Sequence, residues 1–459
     1  MIDAKPKRIS HTDLEQNFRE AEPALSSRDA AHEASRCLYC YDAPCIKACP
    51  TGIDIPSFIK KISSGNMLGS AKTIMDANPV GASCSRVCPT EELCEGACVL
   101  NSTKSPILIG KLQRHATDWA IKSGKDLFFP GAANGKKAAV IGSGPAGLSA
   151  ARELARLGYE TVIYEAEEEA GGLNTYGIVS FRLPKEIAHW EAEQVRRMNV
   201  DIRTKTKIGR DVTAGELLDG YDFVILAAGM SKVPDLGIEG ENLEGVFDAI
   251  EFVKQTKTGE LRRDVAGKKA IVIGAGNTAI DGATCAARLG AGNVKILYRR
   301  TQEEMTAYDF EYEFAKQDGV EFRWLTAPKR IISNDRGEAA GLECIQMMLG
   351  EPDTDGRRRP VPIEGSEHLL PADIIIKAIG QQRHESLIDQ FGLAHDGGVV
   401  EINPETCQTS NPKVFACGDI VFGKGKGEAM VVTAAQQGKQ AAHAIHKLMM
   451  KEERREANG

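Results

Sequence analysis

Eight of the chain's twelve cysteines fall between Cys37 and Cys98, while the other four are scattered downstream. A short segment carrying that many thiols has to fold around something the thiols bind. The first four read Cys37-x-x-Cys40, Cys45, then Cys49-Pro50. In that spacing three thiolates hold one iron-sulfur cluster, and the cysteine before proline reaches across to a second. One cluster is then short of a ligand. The later group, Cys84, Cys88-Pro89, Cys94 and Cys98, can supply it and complete the other. The spacing predicts two 4Fe-4S centres. Disulfides compete poorly, because nothing before residue 40 resembles an apolar leader and cytosolic thiols stay reduced. Zinc is the stronger rival, since paired knuckles would accept Cys37/Cys40 with Cys45/Cys49. The Cys-Pro pairs and the nucleotide motifs downstream favour iron and sulfide.

Around the cysteines the pattern is helical. Residues 1 to about 25 are polar and are expected to wrap the surface. Ser26-Ser27-Arg28-Asp29 forms a helix-start box, Pro56 suits the first turn of a helix through Ile62, and Met67 to Ala77 reads as another. No strand pattern interrupts them. The expectation is a small domain, residues 1–125, whose core is largely its clusters. Glycine and proline between residues 124 and 136 then mark a linker.

A strand, Ala138 to Ile141, leads into Gly142-Ser143-Gly144-Pro145-Ala146-Gly147, a helix to Leu157, and a second strand, Thr161 to Tyr164, ending on Glu165. Glycines here permit a tight turn and close approach of a pyrophosphate to the helix start, while an acid at the second strand's end suits ribose hydroxyls. The pattern recurs at Ala270 to Ile273, Gly274-Ala275-Gly276-Asn277-Thr278-Ala279, a helix to Leu289, and a strand from Val294 to Tyr298. This second strand ends on Arg299-Arg300 instead of an acid, and guanidinium groups suit a 2'-phosphate. Further on, Asp373 to Ile379 reads as a strand closing on Gly380. Val414 to Ala416 leads to Cys417-Gly418-Asp419, and Val431 to Met449 reads as a final helix. The chain thus returns to its first nucleotide domain, and the second is an insertion.

Lys plus Arg number 57 against 64 for Asp plus Glu, a net charge of -7 with no basic block, so nucleic acid is not an expected partner. No apolar run reaches the length of a membrane span. A cytoplasmic protein is expected. The nine histidines are dispersed, and no Ser/His/Asp or paired-carboxylate arrangement calls for a catalytic side chain.

Together, Cys37 to Cys49-Pro50, Asn78-Pro79, Cys84 to Cys98, Gly171-Gly172-Leu173, Phe181-Arg182-Leu183-Pro184, Tyr298-Arg299-Arg300 and Cys417-Gly418-Asp419 resemble the glutamate synthase small-subunit family. Within it, Asp42-Ala43-Pro44-Cys45 and Ile55-Pro56-Ser57-Phe58-Ile59 look most like the amino-terminal half of dihydropyrimidine dehydrogenase. The resemblance implies one cluster on Cys37, Cys40, Cys45 and Cys98, and another on Cys49, Cys88, Cys94 and the amide of Gln113, with Cys84 spare. Counting cysteines alone instead divides eight thiols evenly without a glutamine, so both schemes stand at this stage. FAD is implied on Gly142, Ser143, Gly144, Pro145, Ala146, Gly147, Glu165, Gly172, Leu173, Arg182, Gly418 and Asp419. NADP or NAD is implied on Gly274, Gly276, Asn277, Thr278, Arg299, Arg300 and Gly380. Thr306 departs from the pattern, standing where animal relatives carry a further arginine for the 2'-phosphate.

The expected fold class is therefore α/β, a helical iron-sulfur N-terminal domain followed by two Rossmann-like domains. The FAD domain spans 136–250 and 372–459, with the NAD(P)H domain, 251–371, inserted in it. Nicotinamides give up two electrons together whereas clusters take one at a time, so a flavin between them is the converter. Too little chain remains for a further substrate barrel of about 250 residues. The resemblance implies an FMN-containing partner subunit that reduces uracil and thymine to 5,6-dihydropyrimidines; the alternative is the large glutamate synthase subunit. A stand-alone disulfide reductase is a third class, against which Cys285, Cys344, Cys407 and Cys417 form no Cys-x-x-Cys.

Overall fold

The computed structural model describes residues 9–103, 105–230, 232–259, 264–352, 358–423 and 429–458. They form two compact units. One comprises Glu22–Thr175, Arg182–Met230 and Arg383–Gly459, the other Met1–Ala21, Tyr176–Phe181 and Ser231–Gln382. Among the described residues no helix is long and apolar enough to cross a membrane.

The chain opens on α1 (His11–Asn17), capped by reciprocal bonds between Ser10 and Asp13. As expected, the described part of this segment lies on a surface, that of the second unit, with no residue of α1 buried. Leu14, Phe18 and Ala21 pack on that unit's core, and Asn17 exchanges hydrogen bonds of 2.9 and 2.8 Å with Arg288. Three apolar residues in a polar stretch were too few to register as a periodicity.

In the first unit, α2 (Ser27–Ser35) starts on Ser26, whose hydroxyl accepts from Asp29 N at 3.1 Å. After α3 (Pro44–Ala48), α4 (Ile55–Ser63) is capped by Asp54 and α5 (Met67–Ala77) by Asn66. Next come α6 (Gly81–Val87) and α7 (Ile109–Ser123). Their apolar faces meet. Phe58, Ile59, Ile74 and Leu112 are fully buried, and Cys37, Cys45, Cys49, Cys94 and Cys98 pack at the margin of that cluster. The cysteine layer therefore has an aliphatic core of its own, which corrects the expectation of a core made mainly by metal. Repeated Ile and Leu on one face of α4, α5 and α7 create it. Residues 124–136 hold no helix or strand, yet they are anchored. Phe128 lies beneath the guanidiniums of Arg152 and Arg156, 4.9 and 5.1 Å away, and Leu127 is buried.

The same unit contains β1 (Lys137–Ile141), α8 (Pro145–Arg156), β2 (Glu160–Tyr164), α9 (Leu173–Tyr176), α10 (Lys185–Arg196), β3 (Asp201–Arg203), α11 (Ala214–Gly220) and β4 (Phe223–Leu226). The second unit carries β5 (Val246–Asp248), α12 (Ala249–Thr258), β6 (Lys269–Ile273), α13 (Asn277–Arg288), β7 (Asn293–Leu297), α14 (Asp309–Gln317) and β8 (Glu321–Arg323). It continues with β9 (Thr326–Ser333), β10 (Ala339–Pro352), β11 (Arg358–Pro362), β12 (His368–Pro371) and β13 (Ile374–Lys377). Strands β9 to β12 form an antiparallel sheet, absent from the sequence reading because their alternation is weak and glycine- and proline-broken. The first unit is completed by α15 (Glu385–Gln390), β14 (His395–Asp396), β15 (Val399–Val400), β16 (Val414–Ala416) and α16 (Val431–Asn458), the last longer than expected.

Each unit is built on a five-stranded parallel sheet, ordered β16-β4-β1-β2-β3 in the first and β5-β13-β6-β7-β8 in the second. Ile141 pairs with Tyr164 on one side and Leu226 on the other, and Leu226 pairs with Ala416. The carboxyl ends of these strands are thus level, and Gly142, Glu165, Ala227 and Cys417-Gly418 follow them along one edge. In open parallel sheets that edge is where nucleotides bind. Across it lies α16, packed so tightly on α8 that a Cβ at Gly438 would sit 2.1 Å from Ala146 O.

Candidate functional site: two thiol quartets and two nucleotide cradles

The cysteines fall into two groups. Cys37, Cys40, Cys45 and Cys98 line one open hollow with Ile55, Ile59 and Ile109. Burial raises the Cys45 thiol to about 11, with Cys37 and Cys98 adding to the shift, and Cys37 is raised for the same reasons. Cys49, Cys84, Cys88 and Cys94 form the second group. Cys88 shares a hydrogen bond with Cys84, and this contact, burial and the neighbouring Cys94 and Cys49 hold it far above its ordinary value. Burial, with Glu95 and Cys49 nearby, does the same to Cys94. Burial raises the isolated Cys285, Cys344, Cys407 and Cys417 as well, so it is the gathering of thiols in fours, and not the shift, that marks a metal-binding donor set. Among the described residues no three His, Cys, Asp or Glu side chains are set to hold a single metal ion. The first quartet surrounds a hollow instead. Gln113 is buried on α7, its amide donating to Gly81 O at 2.8 Å; Cys84 is 2% exposed against the sheet's core.

Beside β1, the first glycine loop is organised by Glu165. Its Oε2 accepts from Ser143 N at 2.9 Å and from the Ser143 hydroxyl, while Oε1 accepts from Glu167 N at 2.8 Å. Ser143 Oγ in turn accepts from Gly171 N at 3.0 Å, so the second glycine motif is tied to the first. A Cβ on Gly172 would lie 2.8 Å from Gly144 Cα, and one on Gly147 1.9 Å from Gly142 O. A Cβ on Gly144, by contrast, would enter open space. That opening, at the uncapped start of α8 where Pro145 and Ala146 follow, suits a pyrophosphate. Leu173 opens α9 beside it, and Arg182 is half-buried just before α10. Gly418 N donates to Gln437 Oε1 at 2.8 Å. The Asp419 carboxyl is raised by burial, and Arg383 bonds only the Asp419 carbonyl, at 2.7 Å. Among the described residues no donor reaches that carboxylate, which suits the polyol of a flavin nucleotide.

In the second unit, Gly274 has φ 128, and a Cβ on it would lie 2.1 Å from Ala378 O, so only glycine lets β6 turn beneath β13. Gly276 precedes α13 with Thr306 directly above it, where a Cβ would meet Thr306 Oγ1 at 3.3 Å. Asn277 Oδ1 accepts from Tyr308 N at 3.2 Å, Thr278 lies in the first turn, and Gly380 has φ 106 in open space. Arg299 is exposed and makes no hydrogen bond or ion pair among the described residues, while Arg300 Nε donates to Arg358 O at 3.1 Å. Arg299 is thus available to an anionic ligand.

Charged groups that the sequence reading did not single out join the cysteine layer to the first sheet. Arg152, 3% exposed on α8, donates to Met75 O and, at 3.0 Å, to Asp76 O; Lys439 of α16 donates to Ala77 O. Three carbonyls ending α5 are capped by these cations, which its dipole favours. Glu153 balances Arg152 at 2.7 Å. On α10, Glu191 is 1% exposed and accepts from Ser83 N at 2.8 Å and from the Ser83 hydroxyl. Most of these partners are backbone atoms distant in sequence, so no local motif announces them.

Comparison with known proteins follows the same division. Residues 14–125 match the family described as dihydropyrimidine dehydrogenase domain II, 4Fe-4S cluster, and residues 136–438 match the pyridine nucleotide-disulphide oxidoreductases. The chain is 37% identical to the glutamate synthase [NADPH] small chain of Escherichia coli, over 93% of both chains. It is 38% identical to the NADP(+)-dependent formate dehydrogenase subunit beta of Moorella thermoacetica, over 88% of this chain and 59% of that one. The same identity links it to the NADPH-Fe(3+) oxidoreductase subunit beta of Geobacter sulfurreducens, over 77% of this chain and 53% of that one. Among solved structures, Mycobacterium tuberculosis FprA in complex with NADPH superposes with a TM-score of 0.57 at 20% identity, covering 70% of this chain and 86% of that one. The thioredoxin reductase of T. acidophilum gives 0.54 at 21%, covering 69% of this chain and 99% of that one. These two likenesses describe the fold.

Proposed function

Because this chain belongs to the pyridine nucleotide-disulphide oxidoreductases, and within them to the glutamate synthase small-chain family, we propose that it is an NADPH-dependent electron-input subunit serving a larger partner. The observation that carries this reading is the likeness to the Escherichia coli small chain along nearly the full length of both. On it, residues 22–125 hold two 4Fe-4S clusters and the sheet β16-β4-β1-β2-β3 binds FAD; the second unit binds NADPH, and because β5 and β13 both pair in its sheet that domain is Ser231–Gln382 instead of the expected 251–371. Bound FAD would supply the exchange between two-electron nicotinamide and one-electron iron-sulfur chemistry.

The chain's own residues place these groups. Cys37, Cys40, Cys45 and Cys98 would hold one cluster; Cys49, Cys88, Cys94 and Gln113 the other, with Cys84 a buried neighbour. Cys88 and Leu93 pack against the core of the first sheet, so the second set lies on the flavin side. The first set opens beside Leu38, Tyr41 and Val99, which are 60%, 106% and 42% exposed, and is the outlet. Glu165 holds the glycine loop for the pyrophosphate, and Asp419 offers an acceptor to hydroxyls. Arg299 and Arg300 would bind the 2'-phosphate. A charge-assisted contact contributes about 1.5–3 kcal/mol, roughly tenfold to a hundredfold in affinity. Replacing both arginines by alanine should weaken NADPH by that factor and leave NADH nearly unchanged. Faster flavin reduction by NADH than NADPH in the unmodified protein, at equal low concentration, would show that the pair is only a solvated face.

The partner is tested by reconstitution. Alone, the chain should pass electrons from NADPH to artificial one-electron acceptors and form no glutamate; adding a large glutamate synthase subunit should start glutamate formation. A second reading is favoured by the domain II match over residues 14–125. There the partner is an FMN-containing subunit that reduces uracil or thymine, and uracil reduction on its addition would select it. Glutamate formation or uracil reduction by the chain alone would sink both.

A further inference from the structure

The two sides of the flavin-side thiol group are held differently. Cys49 and Cys94 rest in the helical layer, whereas Cys84 and Cys88 belong to α6 and its end, and α6 is gripped from the sheet layer by Glu191. Both Glu191 oxygens are engaged by Ser83, the residue immediately before Cys84. Cys88 N bonds Cys84 O at 3.0 Å, continuing the same helix, and Gly81 O at its start receives the Gln113 amide. A seven-residue helix thus carries or orients Cys84, Cys88 and Gln113, and one carboxylate fixes it.

Holding a helix does not by itself call for a charge. Burial pushes the Glu191 carboxyl up to about 7, so its ionised form is disfavoured where a neutral amide of the same shape would not be. Arg86, on the same helix, is paired with Asp118 at 2.6 Å and offsets Glu191 only in part. Resting on the proposed cluster assignment, we propose that Glu191 is a positioning residue for the flavin-side cluster: it sets α6 against the flavin sheet and lowers that cluster's reduction potential with its buried charge. Its counterparts at the end of α5, Arg152 and Lys439, hold the other end of the segment from residue 75 to 83, so the approach to α6 is fixed at both ends.

Redox titration of the iron-loaded holoprotein, followed by electron paramagnetic resonance, tests this. Two cluster signals in the unmodified protein are the condition set by the assignment, and their absence would overturn that assignment separately. Given two signals, Glu191→Gln should change the line shape of one cluster and, in titrations run well above pH 7 where the carboxyl is ionised, raise its reduction equilibrium constant about tenfold, which is about 59 mV for one electron. The other cluster should keep its potential, and bleaching of FAD by NADPH should proceed at the unmodified rate. Ser83→Ala, which removes one donor and no charge, should alter the same signal with a smaller change in potential, and it keeps the test open where Glu191→Gln fails to fold. Signals of unaltered shape and potential in both Glu191→Gln and Ser83→Ala overturn the proposal, as does a shift confined to the cluster that Cys45→Ser abolishes.

Discussion

Stripping iron from the purified protein should abolish electron transfer to one-electron acceptors, while NADPH still bleaches the FAD. On the proposed function hydride transfer needs only the two nucleotide units, whereas the route outward passes the cysteine layer. Structurally the effect should be local. Structural metal sites contribute roughly 10–16 kcal/mol to folding in small zinc domains. Here that contribution anchors residues 37–49 and 84–98, whose thiols would be protonated and unattached once the metal is gone. The aliphatic core of α4, α5 and α7, with Phe58, Ile59, Ile74 and Leu112 at most 0% exposed, has its own reason to persist. Hydrogen exchange should show lost protection in the two cysteine segments and retained protection in those helices. Undiminished reduction of one-electron acceptors by iron-free protein would contradict the wiring; uniform unfolding of residues 22–125 would contradict the independent core.

Two glycines one turn apart should fail in opposite ways. In Gly147→Ala the new Cβ would lie 1.9 Å from Gly142 O, a backbone atom that cannot swing aside. Overpacking typically costs 1–3 kcal/mol and occasionally more, so we expect a melting temperature lower by roughly 5–10 °C and FAD lost on purification. In Gly144→Ala the Cβ meets nothing within 4 Å, so stability should hold. Yet that space is where the pyrophosphate approaches, and FAD affinity should fall on the order of a hundredfold, about 2.7 kcal/mol. Melting curves and flavin titration of the two variants separate the cases. Normal FAD binding by Gly144→Ala would move the pyrophosphate away from this loop.

Both nucleotide cradles were legible because their chemistry is local. Gly142 to Gly147 and Gly274 to Thr278 each need a strand before and a helix after, and six consecutive residues carry the message. The parallel α/β architecture followed from them, as did the return of the chain at Val414. The cysteine spacing announced an iron-sulfur segment, and the thiols gather in two neighbourhoods, although Cys84, which the family resemblance leaves spare, shares a hydrogen bond with Cys88 in the second. What escaped reading depends on distant partners. Arg152 bonds carbonyls some seventy-five residues earlier, Glu191 a serine more than a hundred residues earlier, and Phe18 packs on a core whose buried members all lie beyond residue 175. The antiparallel strands β9 to β12 escaped for a different reason: their faces are only half covered, so apolar and polar residues do not alternate cleanly.

The return of β16 to the edge of the first sheet fixes an order of events during synthesis. Strands β1 to β4 can pair as soon as they are made, but Gly418 and Asp419 follow a strand that pairs with β4 only after the whole of β5 to β13 has been added. Gly418 comes 320 residues after Cys98 (418 − 98). At roughly 5–20 residues per second this leaves the thiols waiting about 16–64 s before the flavin cradle can close. A nascent chain therefore presents eight cysteines to iron, or to oxidants, well before it can hold FAD, and cluster loading and flavin loading are separate steps in its assembly.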